Sequence, residues 1–183
     1  MAKATKSNAD INHAPDTKSS SAKTRTFRTS IDLKPDVRAS AIALLNARLA
    51  DTFDLYSQLK QAHWNVKGMD FIQLHELFDE VAERTLVYVD DIAERAIELG
   101  GYATGTARMA AGSSSLPEYP TAAVNGKDHL EAVVERMAMY GKNVRQCIDQ
   151  AEDLEDKDTA DLFTQISRAV DKDLWFLEAH LQA

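Results

Sequence analysis

Five side chains within one stretch of this sequence have the chemistry of transition-metal ligands: His63, His75, Asp79, Asp90 and Glu94. Imidazole nitrogen combined with carboxylate oxygen suits iron, zinc or manganese, whereas an all-oxygen set would suit calcium or magnesium. Such a set could leave open positions at the metal for an oxidant. Redox-silent zinc fits the same donors, and manganese competes for them, so ligand type alone leaves the metal open.

The spacing says more than the residue types. His75 to Asp79 and Asp90 to Glu94 are four-residue steps, one turn apart on one face of a helix. At 1.5 Å per residue the two pairs lie roughly 20 Å apart along the axis, too far to grip one ion. Two antiparallel copies of the helix, crossed about a centre between Arg84 and Thr85, set His75 against the second copy's Glu94 and Asp79 against its Asp90. Both pairings come from one centre, as a two-fold contact requires. The expectation is therefore a site completed only in a dimer, twice per dimer. Ala82 and Leu86, on the same stripe, are expected to form its dry middle. The competing reading is a solvated acidic face paired with Arg84 and Arg95.

Long helices must position these groups. Hydrophobic residues make up 44% of the 183, with only 7 Gly and 4 Pro, which favours an all-α fold. A first helix is predicted from near Lys34–Asp36 to Gly68, with Leu45, Leu49, Phe53, Tyr56, Leu59, His63 and Val66 at core spacing. A second runs from near Asp70 to Gly100-Gly101, its core face marked by Phe71, Leu74, Phe78, Val81, Thr85, Tyr88, Ile92 and Leu99. Tyr102 to about Pro120 is a long connection in which Thr104–Ala111 could form a short helix. A third helix is expected from Ala122 or Asn125 to Ala151, and a fourth from Asp158 to about Leu181 with Leu162, Ile166, Val170, Leu174 and Leu177 inward. The sum is an all-α, ferritin-like four-helix bundle with one long crossover connection.

The net charge of −8 is unevenly spread. Residues 1–38 hold eight cations against four Asp, a net +4, leaving −12 on the remainder. We divide the chain into a basic, flexible N-terminal tail, 1–33, and the bundle, 34–183. A basic tail on an acidic body suits a polyanion or the body of a neighbouring subunit, or it serves only to solubilise. The single cysteine, Cys147, falls on an apolar stripe and reads as a small core residue. One cysteine forms no intrachain disulfide, no apolar segment follows the N-terminal lysines, and no run approaches a membrane span. A cytoplasmic protein is expected.

The motifs around these ligands closely resemble the Dps family, the DNA-binding ferritin-like proteins of starved bacterial cells. The matching runs are Lys60-Gln61-Ala62-His63-Trp64-Asn65, Phe71-Ile72-x-x-His75-Glu76-x-x-Asp79, Asp90-x-Ile92-Ala93-Glu94-Arg95 and Leu99-Gly100-Gly101. Thr159-Ala160-Asp161-x-Phe163-Thr164 and Asp171-Lys172-x-Leu174-Trp175-Phe176-Leu177-Glu178-Ala179 follow in order, so the resemblance spans about residues 36–181. No His has Glu three residues before it, which counts against an ordinary ferritin or bacterioferritin.

The resemblance implies a dodecameric shell built from two-fold dimers. Such a shell oxidises Fe(II), preferring hydrogen peroxide, and stores the ferric mineral, which protects DNA from oxidative damage. His63, His75 and Asp79 would come from one subunit, and Asp90 and Glu94 from its mate. All five would be both metal ligands and the catalytic set of a ferroxidase. Trp64 and Trp175 match tryptophans near that centre, as traps for oxidising equivalents or as core packing. Asp158 and Asp161 are candidates for an acidic pore that concentrates cations, or for helix-terminal residues. The N-terminal tails would bind DNA without sequence preference, giving a nucleoid-associated protein. The alternative reading makes that DNA coating the main task and the metal site secondary.

Overall fold

The computed structural model describes residues 25–182. Helix α1, Pro35–Asn65, opens with Pro at its first position and Asp36 in its first turn. The fixed φ of Pro and an acid near the positive end of the helix dipole both favour this start. α2 spans Phe71–Glu98. It ends in a Schellman turn: Gly101 N–H reaches Ala96 O at 2.9 Å and Gly100 N–H reaches Ile97 O at 2.8 Å. Gly100 stands at φ +83°, a conformation that favours glycine. The short helix α3 is Ala107–Ser113, capped by Thr106, rather than Thr104–Ala111. The hydroxyl of Thr106 satisfies Met109 N–H, which sets the start later than composition suggests.

α4, Gly126–Asp153, begins with a reciprocal capping box between Asn125 and Asp128. α5, Lys157–Ala179, is capped by Asp156, whose carboxylate accepts from Thr159 N–H at 3.1 Å. α1 pairs with α2 and α4 with α5, and α1 also packs on α4, which makes a four-helix bundle with α3 on the crossover. The core is continuous across all four long helices, from Leu45, Leu49 and Leu59 through Phe78, Val81 and Ile92 to Met137, Tyr140, Phe163, Ile166 and Leu177. Cys147 is buried in it, as its stripe position implied.

Three details depart from the sequence expectations. Phe71 is exposed at the start of α2, outside the core face assigned to it. On α5 the buried stripe runs through Phe163, Ile166, Val170 and Leu177, while Leu162 and Leu174 are half-buried at its edge. Ala82 is 0% exposed and belongs to the protomer's own core, because its small side chain lets α2 approach its neighbours closely. It is therefore not available to line a contact between protomers.

Two arrangements outside the helices fix the frame. Buried Asp51 accepts from Ser115 N–H (2.6 Å) and pairs with Arg48 (2.9 Å), so the crossover is stapled to α1. Before α1, Phe27 N–H donates to Gly100 O at 2.7 Å, and Ile31 and Leu33 pack on the core. Most of the basic tail assigned above, including Lys3, Lys6, Lys18 and Lys23, lies outside the described residues.

Candidate metal centre

His63 lies in the last turn of α1 and His75 in the first turns of α2, so the short connection between them folds the two rings together. The imidazoles stack with centroids 3.7 Å apart and planes inclined by 20°. The main chain fixes their orientation. His63 Nδ1 lies 2.7 Å from the carbonyl oxygen of His75, and His75 Nδ1 lies 2.9 Å from that of His63. A carbonyl can only accept, so each Nδ1 carries the proton and each Nε2 keeps its lone pair in the neutral ring. Reciprocal support of this kind holds metal-ligating histidines in one tautomer.

Asp79, one turn beyond His75, is half-buried and forms an ion pair with Lys60 of α1. Lys60 donates a hydrogen bond to it and holds its carboxyl below the usual carboxylate range, against a rise from desolvation. Sequence reasoning passed over Lys60 as a functional neighbour. Its position three residues before His63, on the same helical face, was the available signal.

Asp90 and Glu94, further along α2, are exposed. Neither forms an ion pair among the described residues. Arg84 instead pairs with Asp173 (2.9 Å) and Glu80 (3.7 Å), and Arg95 with Asp156 (2.8 Å) and Glu98 (3.1 Å). Both arginines are engaged by these partners and pair with neither Asp90 nor Glu94. Among the described residues of one protomer, no three His, Cys, Asp or Glu side chains are disposed to hold an ion together. His63 and His75 are thus brought into contact, with Asp79 near enough for both imidazoles to bear on its carboxylate, but the three do not by themselves form a group that could hold an ion, and Asp90 and Glu94 are not brought to them.

Beside the two acids the surface is apolar: Leu86 and Val87 are 44% and 56% exposed. Together with Leu49, Val89, Ala93 and Gly105 they line a cavity of about 500 Å³ that reaches Asp90. Trp64 and Trp175 are 64% and 61% exposed, so core packing within the protomer does not account for either. Asp158 and Asp161 are exposed on the first turns of α5, and the capping role belongs to Asp156. No helix among the described residues is long and apolar enough to cross a membrane.

With this geometry in hand, similarity to known proteins is informative. The ferritin-like domain model matches residues 42–183. A DNA protection during starvation protein of Agrobacterium fabrum is 42% identical over 158 residues, covering 86% of this chain and 98% of that protein. Among solved structures, Mycobacterium smegmatis Dps superposes with a TM-score of 0.82 at 30% identity, over 86% of this chain and 95% of that one. DpsC from Streptomyces coelicolor gives a TM-score of 0.82 at 29% identity, over 87% and 93%. The fold, the matched domain and these relatives agree: the chain belongs to the ferritin-like family and, within it, to the Dps proteins.

Proposed function

We propose that this protein is a ferroxidase and iron-storage shell. Twelve subunits assemble from two-fold dimers, oxidise Fe(II) with a preference for hydrogen peroxide, and keep the ferric product inside, limiting oxidative damage to DNA. The observation that carries the reading is the divided ligand set. Two histidines present Nε2 lone pairs near Asp79, and two exposed carboxylates, Asp90 and Glu94, stand on the same helix as His75 and Asp79, beyond their reach. A dimer mate supplies what one protomer lacks, and the exposed Leu86 and Val87 give the contact an apolar surface.

Iron is the substrate here. Carboxylate oxygens stabilise Fe(III) over Fe(II), since the higher charge gains more from anionic ligands, and this favours electron loss. Two Fe(II) each give one electron to one peroxide. The O–O bond breaks, two protons are taken up, and two Fe(III) and two waters result. Supplying both electrons together avoids release of hydroxyl radical. Zinc or manganese would compete for the same donors without completing that reaction.

The tails make any DNA contact in this reading. The six cations of residues 1–33 neutralise phosphates without reading bases, and twelve tails per shell add avidity. A shift of duplex DNA that weakens steeply with salt, and disappears when residues 1–30 are removed, is the expected result. A shift that survives the truncation would place the DNA surface elsewhere.

The deciding experiment is anaerobic oxidation of Fe(II) by hydrogen peroxide, wild type against Asp90→Ala, after equal assembly is shown. Rapid oxidation that collapses in the variant supports the inter-subunit site. Equal rates would make the ligand stripe structural and move DNA coating ahead as the main function.

A further inference from the structure

The crossover and the start of α4 hold a tyrosine–histidine pair that the iron chemistry above does not use. Tyr119 Oη lies 2.5 Å from Nδ1 of His129, with the two rings inclined by 23°. His129 is 1% exposed, and its Nε2 is buried with no hydrogen bond closed on it. The Asn65 main chain is the neighbour that favours a proton there. That leaves Nδ1 as the lone pair and Tyr119 as the donor. Burial keeps the pair neutral: it holds His129 below its usual range and pushes the phenol of Tyr119 up to about 12. The guanidinium of Arg136, itself buried, stands 5.7 Å over the Tyr119 ring.

This arrangement has the parts of a proton-coupled electron donor. A phenol that loses an electron becomes a strong acid, and an imidazole lone pair in hydrogen-bond contact can take its proton at once. Arg136 reinforces the coupling, because a cation over the ring opposes a positive charge left on it. The pair is joined to the elements that carry His63 and His75 through the Asn65 main chain beside His129. Asn65 ends α1 two residues after His63, and Leu74, next to His75, lies against Gly126 at the start of α4. Lys67 bridges to Asn125 in the same region.

We propose that Tyr119 and His129 form a hole trap serving the iron site, an inference that rests on the ferroxidase reading. When a single Fe(II) meets peroxide, it yields Fe(III), hydroxide and a hydroxyl radical. Tyr119 supplies one electron to that radical, which becomes hydroxide, and the phenolic proton passes to Nδ1 of His129. The products are a neutral tyrosyl radical and an imidazolium. A second Fe(II) then returns an electron, the proton goes back to the phenol oxygen, and another Fe(III) is formed. The stray one-electron oxidant is thereby spent on iron.

The test uses the assembled full-length protein, loaded anaerobically with less Fe(II) than two per site, mixed with peroxide and freeze-quenched for electron paramagnetic resonance. Wild type should give a neutral tyrosyl spectrum that changes with ring-deuterated tyrosine and forms more slowly in D2O. Tyr119→Phe should lose it. His129→Gln should slow its formation by about a hundredfold, the lower end of what a positioned proton acceptor contributes. An undiminished tyrosyl signal in Tyr119→Phe, a wild-type signal from tryptophan alone, or no isotope effect in wild type would overturn the proposal. If wild type fails to oxidise Fe(II), the ferroxidase reading fails separately. A photogenerated one-electron oxidant then tests the pair directly, and absence of a Tyr119-dependent radical sinks it.

Discussion

The ammonium of Lys60 on α1 is paired with the carboxylate of Asp79 on α2, so one of the candidate ligands is already engaged by a cation. An incoming metal ion must displace Lys60 to use that carboxylate. Both side chains are partly exposed, so the pair is worth at most about 1 kcal/mol, or about fivefold in affinity. Lys60→Gln should therefore tighten Zn(II) or Co(II) binding by up to about fivefold, read by calorimetric titration. Unchanged affinity would mean that Lys60 swings away without cost and does not compete.

Division of the ligand set between protomers predicts complementation. A His75→Ala variant and an Asp90→Ala variant should each be inactive alone. Co-assembled in equal amounts, they form heterodimers in which one site takes its histidines from one variant and its acids from the other. Random pairing in a two-fold dimer restores about a quarter of wild-type sites. Peroxide-driven Fe(II) oxidation by the mixed shell should recover to that level. No recovery after verified mixing would place all the ligands of a working site within one protomer.

How much of this was legible in the sequence depended on the kind of signal. Helix positions followed from apolar spacing and from strong end signals such as Pro35 and Gly100-Gly101, because these act on the local backbone. Phe71 was misplaced because periodicity gives a face but not how deeply the end of a helix is covered, and Ala82, in the middle of α2, because a side chain that small packs inward at the edge of the core face. The arginines were ambiguous for a different reason. Arg84 pairs with Asp173 and Arg95 with Asp156, each from another helix, and spacing within α2 carries no trace of either. The Tyr119–His129 contact likewise joins a loop to a helix, and no motif announces it.

Arg95 and Asp156 predict a ranked pair of stability effects. Asp156 is 2% exposed and both caps α5 and pairs with Arg95, which also donates to Thr159 Oγ1 at 3.0 Å. Arg95→Met strands a buried carboxylate and should cost about 3 kcal/mol. Asp156→Asn keeps an oxygen to cap Thr159 N–H and should cost less. Denaturation at fixed protein concentration should show that order, and the reverse order would mean that leaving the Arg95 guanidinium unpaired costs more than leaving the Asp156 carboxylate unpaired.

His129 predicts how the protein responds to acid. Tyr119, Asp128 and Lys67 are the titratable groups that bear on it, and Arg136 stands over the ring of Tyr119. Burial depresses its pKa, an effect that Lys67 adds to and that Asn65 and Asp128 oppose. The unfolded chain, with a histidine near the ordinary value of about 6.5, then binds more protons than the folded one as the pH falls through that value. Stability tied to the neutral ring is thus complete above about pH 6.5 and is lost progressively below it, because protonation of the histidine in the unfolded chain draws the equilibrium toward unfolding while the folded ring stays neutral. Thermal denaturation between pH 7.5 and about 5 should show a fall in wild type that is shallower in His129→Gln, a change that leaves the other four histidines in place. Parallel slopes for the two proteins would assign the acid response to other groups and show that His129 is accommodated equally well in both protonation states.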